Sequence, residues 1–192
     1  MRNSALLGLR LTLGGYLAVH GAQKLFGSFD GPGLEKAGAG FEHLGLQPGK
    51  AFAALAGSSE LAGGVLTAIG AAYPVGPLAL AGAMSVASLA HLEKGPMLQK
   101  GGYELPATNM VAALALIGTG PGRFSFDHAT GLRLPKALTR LAVLGTTVLT
   151  VYSAAKVVQS KQGLAAAADA SAEDTPTEPA VIDDDGTGTD AE

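Results

Sequence analysis

Residues 51–72 read AFAALAGSSELAGGVLTAIGAA, and this stretch decides the fold. Its 22 residues include a single ionisable side chain, Glu60, and no proline. A helix that rises 1.5 Å per residue would extend about 33 Å here, enough to cross a hydrocarbon core of about 30 Å. Gly57, Gly63 and Gly64 are the kind of small residue at which membrane helices approach each other closely. The stretch therefore predicts a membrane-spanning helix packed tightly against a neighbour.

Further apolar blocks lie on both sides of this stretch. We predict three more membrane helices at about 5–26, 75–92 and 105–119, and a fifth at about 136–158. The connection Tyr73-Pro74-Val75-Gly76-Pro77 is rich in helix breakers and predicts a tight antiparallel hairpin. Residues 28–49 are too polar to span, so we expect an interfacial half-helix there. The expected fold is an all-α membrane protein, a four-helix transmembrane bundle with a fifth transmembrane helix.

Charge divides the chain into a basic body and an acidic tail. Residues 1–162 carry 13 basic and 7 acidic side chains, whereas residues 163–192 carry nine acidic and no basic ones. The tail lacks apolar periodicity, so we predict that it is disordered. The expected organisation is a four-helix membrane domain over 1–127, a basic connector and fifth helix over 128–162, and a disordered acidic tail over 163–192. Because the Lys and Arg residues lie between apolar blocks, where they meet lipid headgroups, we expect no nucleic-acid partner.

The sequence contains no cysteine. This excludes disulfides, thiolate metal sites and any relay that carries electrons or sulfur on a thiol. We predict no metal site. No self-sufficient catalytic motif is present, so the chain is at most a subunit of an enzyme.

Ionisable residues in or beside the predicted spans indicate a possible site, because a charge at the centre of a span costs roughly 2.5 to 3.5 kcal/mol. If successive helices alternate in direction, five of these residues lie on one side of the membrane. They are His20, Lys24, Glu60, His91 and Glu104. His20 and Lys24 are four residues apart and so share a helix face. We predict one polar pocket whose imidazoles, ammonium and carboxylates suit proton transfer, a quinone carbonyl or an anion.

A purely structural interpretation of the same five residues stays open. A buried network of ion pairs and hydrogen bonds can fix helix register without binding a ligand. Lys24 lies at a helix end, from which its ammonium can reach lipid headgroups. Haem ligation by His20 and His91 is disfavoured, because it needs both residues at matching depth with open space between them.

A second polar cluster is expected at the opposite side of the membrane, formed by Arg10, Arg123 and Asp127. Arg10 lies about two turns into the first helix, where a guanidinium needs a partner. We predict an ion pair from Arg10 to Asp127 and a structural role for the cluster.

Several of these residues belong to short motifs that occur in a specific order. The motifs are Arg10, His20-Gly21-Ala22-Gln23-Lys24-Leu25-Phe26-Gly27, Glu60-Leu61-Ala62-Gly63-Gly64, Met84 with His91, Gly101-Gly102-Tyr103-Glu104 and Gly120-Pro121-Gly122-Arg123-Phe124-Ser125-Phe126-Asp127. Over about residues 5–127 the pattern resembles the DoxX family. The resemblance implies a multi-pass protein of the plasma membrane with a four-helix bundle. It also implies redox work, since the family is named after a subunit of a thiosulfate:quinone oxidoreductase and other members are linked to oxidative-stress handling.

The resemblance and the charged pocket together suggest a function. The leading hypothesis is a membrane subunit of a quinone-linked or oxidative-stress-related oxidoreductase assembly, with quinone as the cofactor that the pocket would take. Its partners would be the lipid bilayer and the other proteins of that complex, in a homo- or hetero-oligomer. One alternative is a non-catalytic membrane anchor or scaffold that recruits redox or detoxification proteins. A weaker alternative is a small-solute or proton transporter.

Overall fold

Apolar blocks separated by glycine- and proline-containing breaks give an all-helical chain. The structure is a computed structural model that describes residues 1–173, and no strand occurs within that range. Its helices are α1 Arg2–Phe26, α2 Gly33–His43, α3 Gly49–Ile69, α4 Val75–Ala90, α5 Glu104–Thr119, α6 Phe126–Thr130 and α7 Lys136–Glu173. Two 3-10 turns, Leu92–Lys94 and Leu98–Lys100, join α4 to α5. The expected half-helix between the first two long helices is α2.

Glycines allow α1 and α3 to touch backbone to backbone. Gly14 lies against Gly64, and a Cβ atom built on Gly14 would come within 2.5 Å of the Gly64 carbonyl oxygen. One heptad further along α1, Gly21 faces the Gly57 carbonyl and the backbone of Leu61. The two pairs run in opposite directions along the two helices, so α1 and α3 are antiparallel. Glycines spaced seven residues apart on each helix stay on one face, and this makes the contact continuous.

Helices α1, α3, α4 and α5 form a closed ring in which each helix contacts the next. Helix α3 packs on α4, α4 packs on α5, and α5 returns to α1 through fewer contacts. The core between α1, α4 and α5 consists of Leu6, Leu13, Leu17, Leu80, Ala81, Met84, Ala113 and Leu116. Met84, which belongs to the resemblance motif, is 4% exposed and packs in this core.

Helix α7 docks on the outside of the ring, against α4 and the α2–α3 connection. Its Val157 is buried with Leu46 and Phe52. The Ser160 hydroxyl donates to the Leu44 carbonyl at 2.9 Å, and the Lys161 ammonium lies 3.2 Å from the Glu93 carboxylate. Helix α7 is therefore held at the end of α4 where the predicted pocket was expected.

Helix α7 is also longer than predicted. The disordered tail was expected from residue 163, but residues 163–173 continue the helix to Glu173. The alanine-rich sequence after Leu164 explains this extension, because alanine has the highest helix propensity of all residues. Residues 174–192, the remainder of the predicted tail, lie outside the described residues.

In the part of the chain that the structure describes, two helices are long and apolar enough to cross a membrane: α3, Gly49–Ile69, and the Lys136–Ala167 part of α7. Helix α4 is apolar but shorter. The outward face of α7 carries large apolar side chains such as Leu141 at 64% exposure and Val151 at 62%. Such a surface is unfavourable in water and suits contact with lipid.

Candidate functional site

Lys24 and Glu60 form an ion pair between α1 and α3, with 2.5 Å between the lysine Nζ and the glutamate Oε2. The glutamate side chain is 7% exposed and the lysine side chain 25%. The close approach at Gly21 and Gly57 brings the two helices together one turn away from both residues. The structure thus gives the buried carboxylate the partner that its burial requires.

This ion pair borders a cavity of about 790 Å³ between α2, α3, α4 and α7. Most of the wall is apolar and includes Phe41, Leu55 and Val86. The volume falls within the range of about 300–1,000 Å³ that is common for small-molecule sites, and such sites combine apolar walls with a few polar groups.

Other ionisable residues on the cavity wall are His43, His91 and Lys94. The His91 Nδ1 atom lies 2.8 Å from the Gly101 carbonyl oxygen. Because a carbonyl oxygen only accepts hydrogen bonds, Nδ1 carries the proton, and Nε2 is the acceptor in the neutral ring. The contact also fixes the orientation of the imidazole at the end of α4.

The five residues predicted to share a pocket do not all converge. Lys24, Glu60 and His91 border the cavity, whereas His20 and Glu104 do not. His20 is exposed although Leu13, on the same face of α1, is 5% exposed, so the neighbouring helices leave this end of the face uncovered. Glu104 is exposed and accepts a hydrogen bond from the Leu98 backbone N–H at 3.1 Å.

Several residues of the cavity were not predicted from the sequence. His43 lies on α2, and Lys94 lies in the 3-10 turn after α4. Helix α7 contributes Thr146, Thr150 and Ser153, which are spaced four and three residues apart. That spacing places the three hydroxyl residues on one face of a helix and can be recognised in the sequence. Only the docking of α7 in the structure shows that this face borders the cavity.

Arg10 and Asp127 lie at the end of the helices opposite to the cavity. The prediction that they form an ion pair is wrong. The Arg10 guanidinium is buried and donates to the Pro121 carbonyl and, at 2.5 Å, to the Phe124 carbonyl. Asp127 instead accepts from the backbone N–H groups of Ala72 at 2.9 Å and Tyr73 at 2.8 Å. The turn after α5 exposes carbonyl groups to the guanidinium, and the connection between α3 and α4 offers backbone amides to the carboxylate.

The third member of that predicted cluster, Arg123, is exposed, and its backbone N–H donates to the Asn3 side chain at 3.3 Å. Within residues 1–173 its side chain joins no ion pair. The Tyr73 hydroxyl donates to the Ile117 carbonyl, and burial raises the pKa of this phenol. These contacts hold the segment after α5 and the end of α5 against the α3–α4 connection.

Comparison with known proteins identifies the helical domain. Residues 5–92 match the family model described as DoxX. Neither the curated proteins nor the solved structures gave a match. The matched region runs from α1 to the end of α4 and contains Lys24, Glu60 and His91, whereas α5 and α7 lie beyond it. This match, together with the apolar helices, supports assignment of residues 5–92 to the DoxX family of membrane proteins.

Proposed function

We propose that this chain is an integral membrane subunit of a quinone-linked or oxidative-stress-related oxidoreductase assembly, and that the cavity holds a quinone headgroup. The observation that carries the proposal is the Lys24–Glu60 pair on the wall of an otherwise largely apolar cavity of about 790 Å³. An apolar space with a few polar groups suits a lipophilic ring that carries carbonyl oxygens.

In the arrangement that we propose, α1, α3, α4 and α5 form a transmembrane bundle and α7 is a fifth span in the plasma membrane. Helix α1 extends about 37 Å, and α7 covers about 38 Å between Lys136 and Lys161. Helices α4 and α5 are about 24 Å long, so residues of their adjoining turns would enter the interface. The Lys161–Glu93 contact supports a crossing by α7. It joins α7 to the C-terminal end of α4, whereas α7 begins, at Lys136, near the other end of the helices.

The chemistry of quinones fits the groups on the cavity wall. Reduction of a quinone to a quinol takes up two electrons and two protons. Glu60, His43 and His91 are groups that hold and release protons, and the Lys24 ammonium donates hydrogen bonds. The chain has no cysteine, so we assign the electrons to a partner subunit or to a cofactor bound by that partner.

Quinone content tests the proposal directly. The protein is purified in mild detergent, its lipid-soluble fraction is extracted, and quinones are quantified against protein. We expect about one quinone per chain in the wild type and a loss of about tenfold in Glu60→Gln. Glu35→Gln is the matched control, because Glu35 pairs with Lys50 at the surface, where its side chain is 78% exposed. The proposal fails if the wild type yields no quinone and does not retain any that is added before purification.

One observation favours the scaffold alternative. The Lys24 and Glu60 side chains satisfy each other at 2.5 Å, as they would in a network that only fixes helix register. A complementation assay in cells separates the two functions. If Glu60→Gln retains full function while deletion of residues 163–192 abolishes it, the chain acts as a scaffold. The opposite pattern supports the cavity.

A further inference from the structure

Helix α7 presents a row of hydroxyl groups to the cavity. The row consists of Thr146, Thr150 and Ser153. Their spacing places all three on one face of the helix, along about 10 Å of its length. Ser153 is only 5% exposed, so its hydroxyl is enclosed by the protein and the cavity.

Among the described residues, these three hydroxyls do not donate to carbonyl groups of their own helix. Ser85 and Ser88 of α4 donate to the carbonyl four residues earlier at 2.8 Å, and Thr139 at the start of α7 does so at 3.4 Å. Within residues 1–173, the hydroxyls of Thr146, Thr150 and Ser153 have no hydrogen-bond partner. Ser153 is buried, and Thr146 and Thr150 are half-buried on the cavity wall, so a molecule in the cavity can supply the hydrogen-bond partners of these hydroxyls.

The position of the row depends on a glycine of α4. A Cβ atom built on Gly82 would lie 2.5 Å from the Thr150 hydroxyl oxygen and 3.0 Å from the Thr146 methyl group. Gly82 therefore lets α7 approach α4 closely enough to close this side of the cavity. The cavity wall also includes Ser59 and the ion-paired Glu60 of α3. A molecule in the cavity would thus meet polar groups from both α3 and α7 as well as apolar groups.

We propose that α7 supplies the hydrogen-bonding wall that selects the ligand of this cavity. The ligand class is an apolar molecule with two acceptor oxygens separated by about one helical turn, roughly 5–6 Å. A quinone ring carries two carbonyl oxygens on opposite sides of one six-membered ring, which is a comparable separation. For the identity of the ligand this inference rests on the proposed function. It goes further by assigning selectivity to a helix that lies beyond residues 5–92, the part matched by the family model.

The test measures quinone affinity in variants that lose hydroxyls and keep shape. Thr150→Val and Ser153→Ala are made singly and together, and a water-soluble ubiquinone analogue with a single isoprene unit is titrated into the detergent-purified protein by calorimetry. We expect each substitution to weaken binding by about 3- to 10-fold and the double variant by more. Thr147→Val is the matched control, because Thr147 is exposed on α7 and does not border the cavity. Its affinity should equal that of the wild type.

The outcomes separate this inference from the proposed function. Wild-type affinity in a folded double variant overturns the role of α7 and leaves a quinone site formed by α3 and α4 intact. Equal weakening in Thr147→Val also overturns it, because the effect would then be a general one on α7. A wild type that does not bind the quinone analogue overturns both proposals. The thermal unfolding midpoint of each variant, measured in the same detergent, shows whether the fold is retained.

Discussion

At the residue scale, Lys24 and Glu60 differ in their access to the surroundings. The lysine side chain is 25% exposed, and its long stem lets the ammonium reach lipid headgroups or water. The glutamate side chain is 7% exposed and has a shorter stem, so its carboxylate cannot reach the surroundings in the same way. Removing one partner of this pair should therefore have a different effect from removing the other.

We expect Lys24→Ala to lower the free energy of unfolding by about 3 kcal/mol, because it leaves the Glu60 carboxylate buried without its partner. Glu60→Gln should cost less, about 1 kcal/mol, because the amide still accepts a hydrogen bond from Lys24. Denaturant unfolding in detergent gives both values. Lys50→Ala is the control for a surface pair and should change the free energy by about 0–1 kcal/mol, since the Lys50 and Glu35 side chains are 59% and 78% exposed. Equal costs for the two buried changes would contradict this account.

Tyr73 predicts a pH dependence at the α3–α4 connection. Burial raises the pKa of its phenol, so the folded chain keeps the proton to higher pH than the unfolded chain does. The contribution of the neutral phenol is fully present below the unfolded pKa of about 10 and is lost as pH rises through the folded pKa. Between pH 8 and 11, the unfolding midpoint of the wild type should therefore fall more steeply than that of Tyr73→Phe. Parallel curves for the two proteins would show that this phenol does not contribute.

At the element scale, the α1–α3 contact is the most demanding feature of the fold. Gly14 and Gly15 are neighbours on α1 with opposite surroundings. A Cβ atom on Gly14 would lie 2.5 Å from the Gly64 carbonyl oxygen, whereas one on Gly15 would meet nothing within 4 Å. The same substitution at adjacent positions therefore separates helix packing from intrinsic helix propensity.

We expect Gly14→Ala to destabilise the protein by about 1–3 kcal/mol, because neither backbone can move without opening the contact. Gly15→Ala should be neutral or stabilising by up to about 1 kcal/mol, since alanine favours the helix more than glycine does. Thermal unfolding of the two variants in the same detergent measures the difference. A larger loss for Gly15→Ala would mean that the two helices pack through another face.

The ends of the helices were easier to predict than the rotation of each helix about its own axis. Helix breakers such as Gly70 and Pro74 predicted a short connection after α3, and the structure has this connection between α3 and α4. Nothing within α1 indicated that Lys24 would reach the cavity while His20 would face outward. Two residues that are four apart differ in direction by only about 40° around the helix axis. The covering neighbours decide which of two such residues is buried.

At the scale of the whole molecule, membrane topology tests the proposed arrangement of five spans against one in which α7 does not cross. If α7 crosses the membrane, Lys36 on α2 and Asp185 in the tail lie on the same side; if it does not, they lie on opposite sides. Because the chain has no cysteine, Lys36→Cys and Asp185→Cys each introduce one unique thiol for an impermeant label. We expect both to be labelled from the same side in oriented vesicles. Arg123→Cys, at an exposed position after α5, should be labelled from the other side.

The sequence by itself determined the helical class, the apolar blocks and the resemblance to the DoxX family, because hydropathy, helix breakers and short motifs are local properties of the chain. It also singled out Glu60 as a residue that needs a partner. Only the tertiary structure decided that this partner is Lys24, that Asp127 binds backbone amides and not Arg10, and that α7 closes the cavity with its hydroxyls. These contacts depend on how each helix is rotated and which neighbour covers it. That information arises from the packing of several helices at once and is not carried by any single segment.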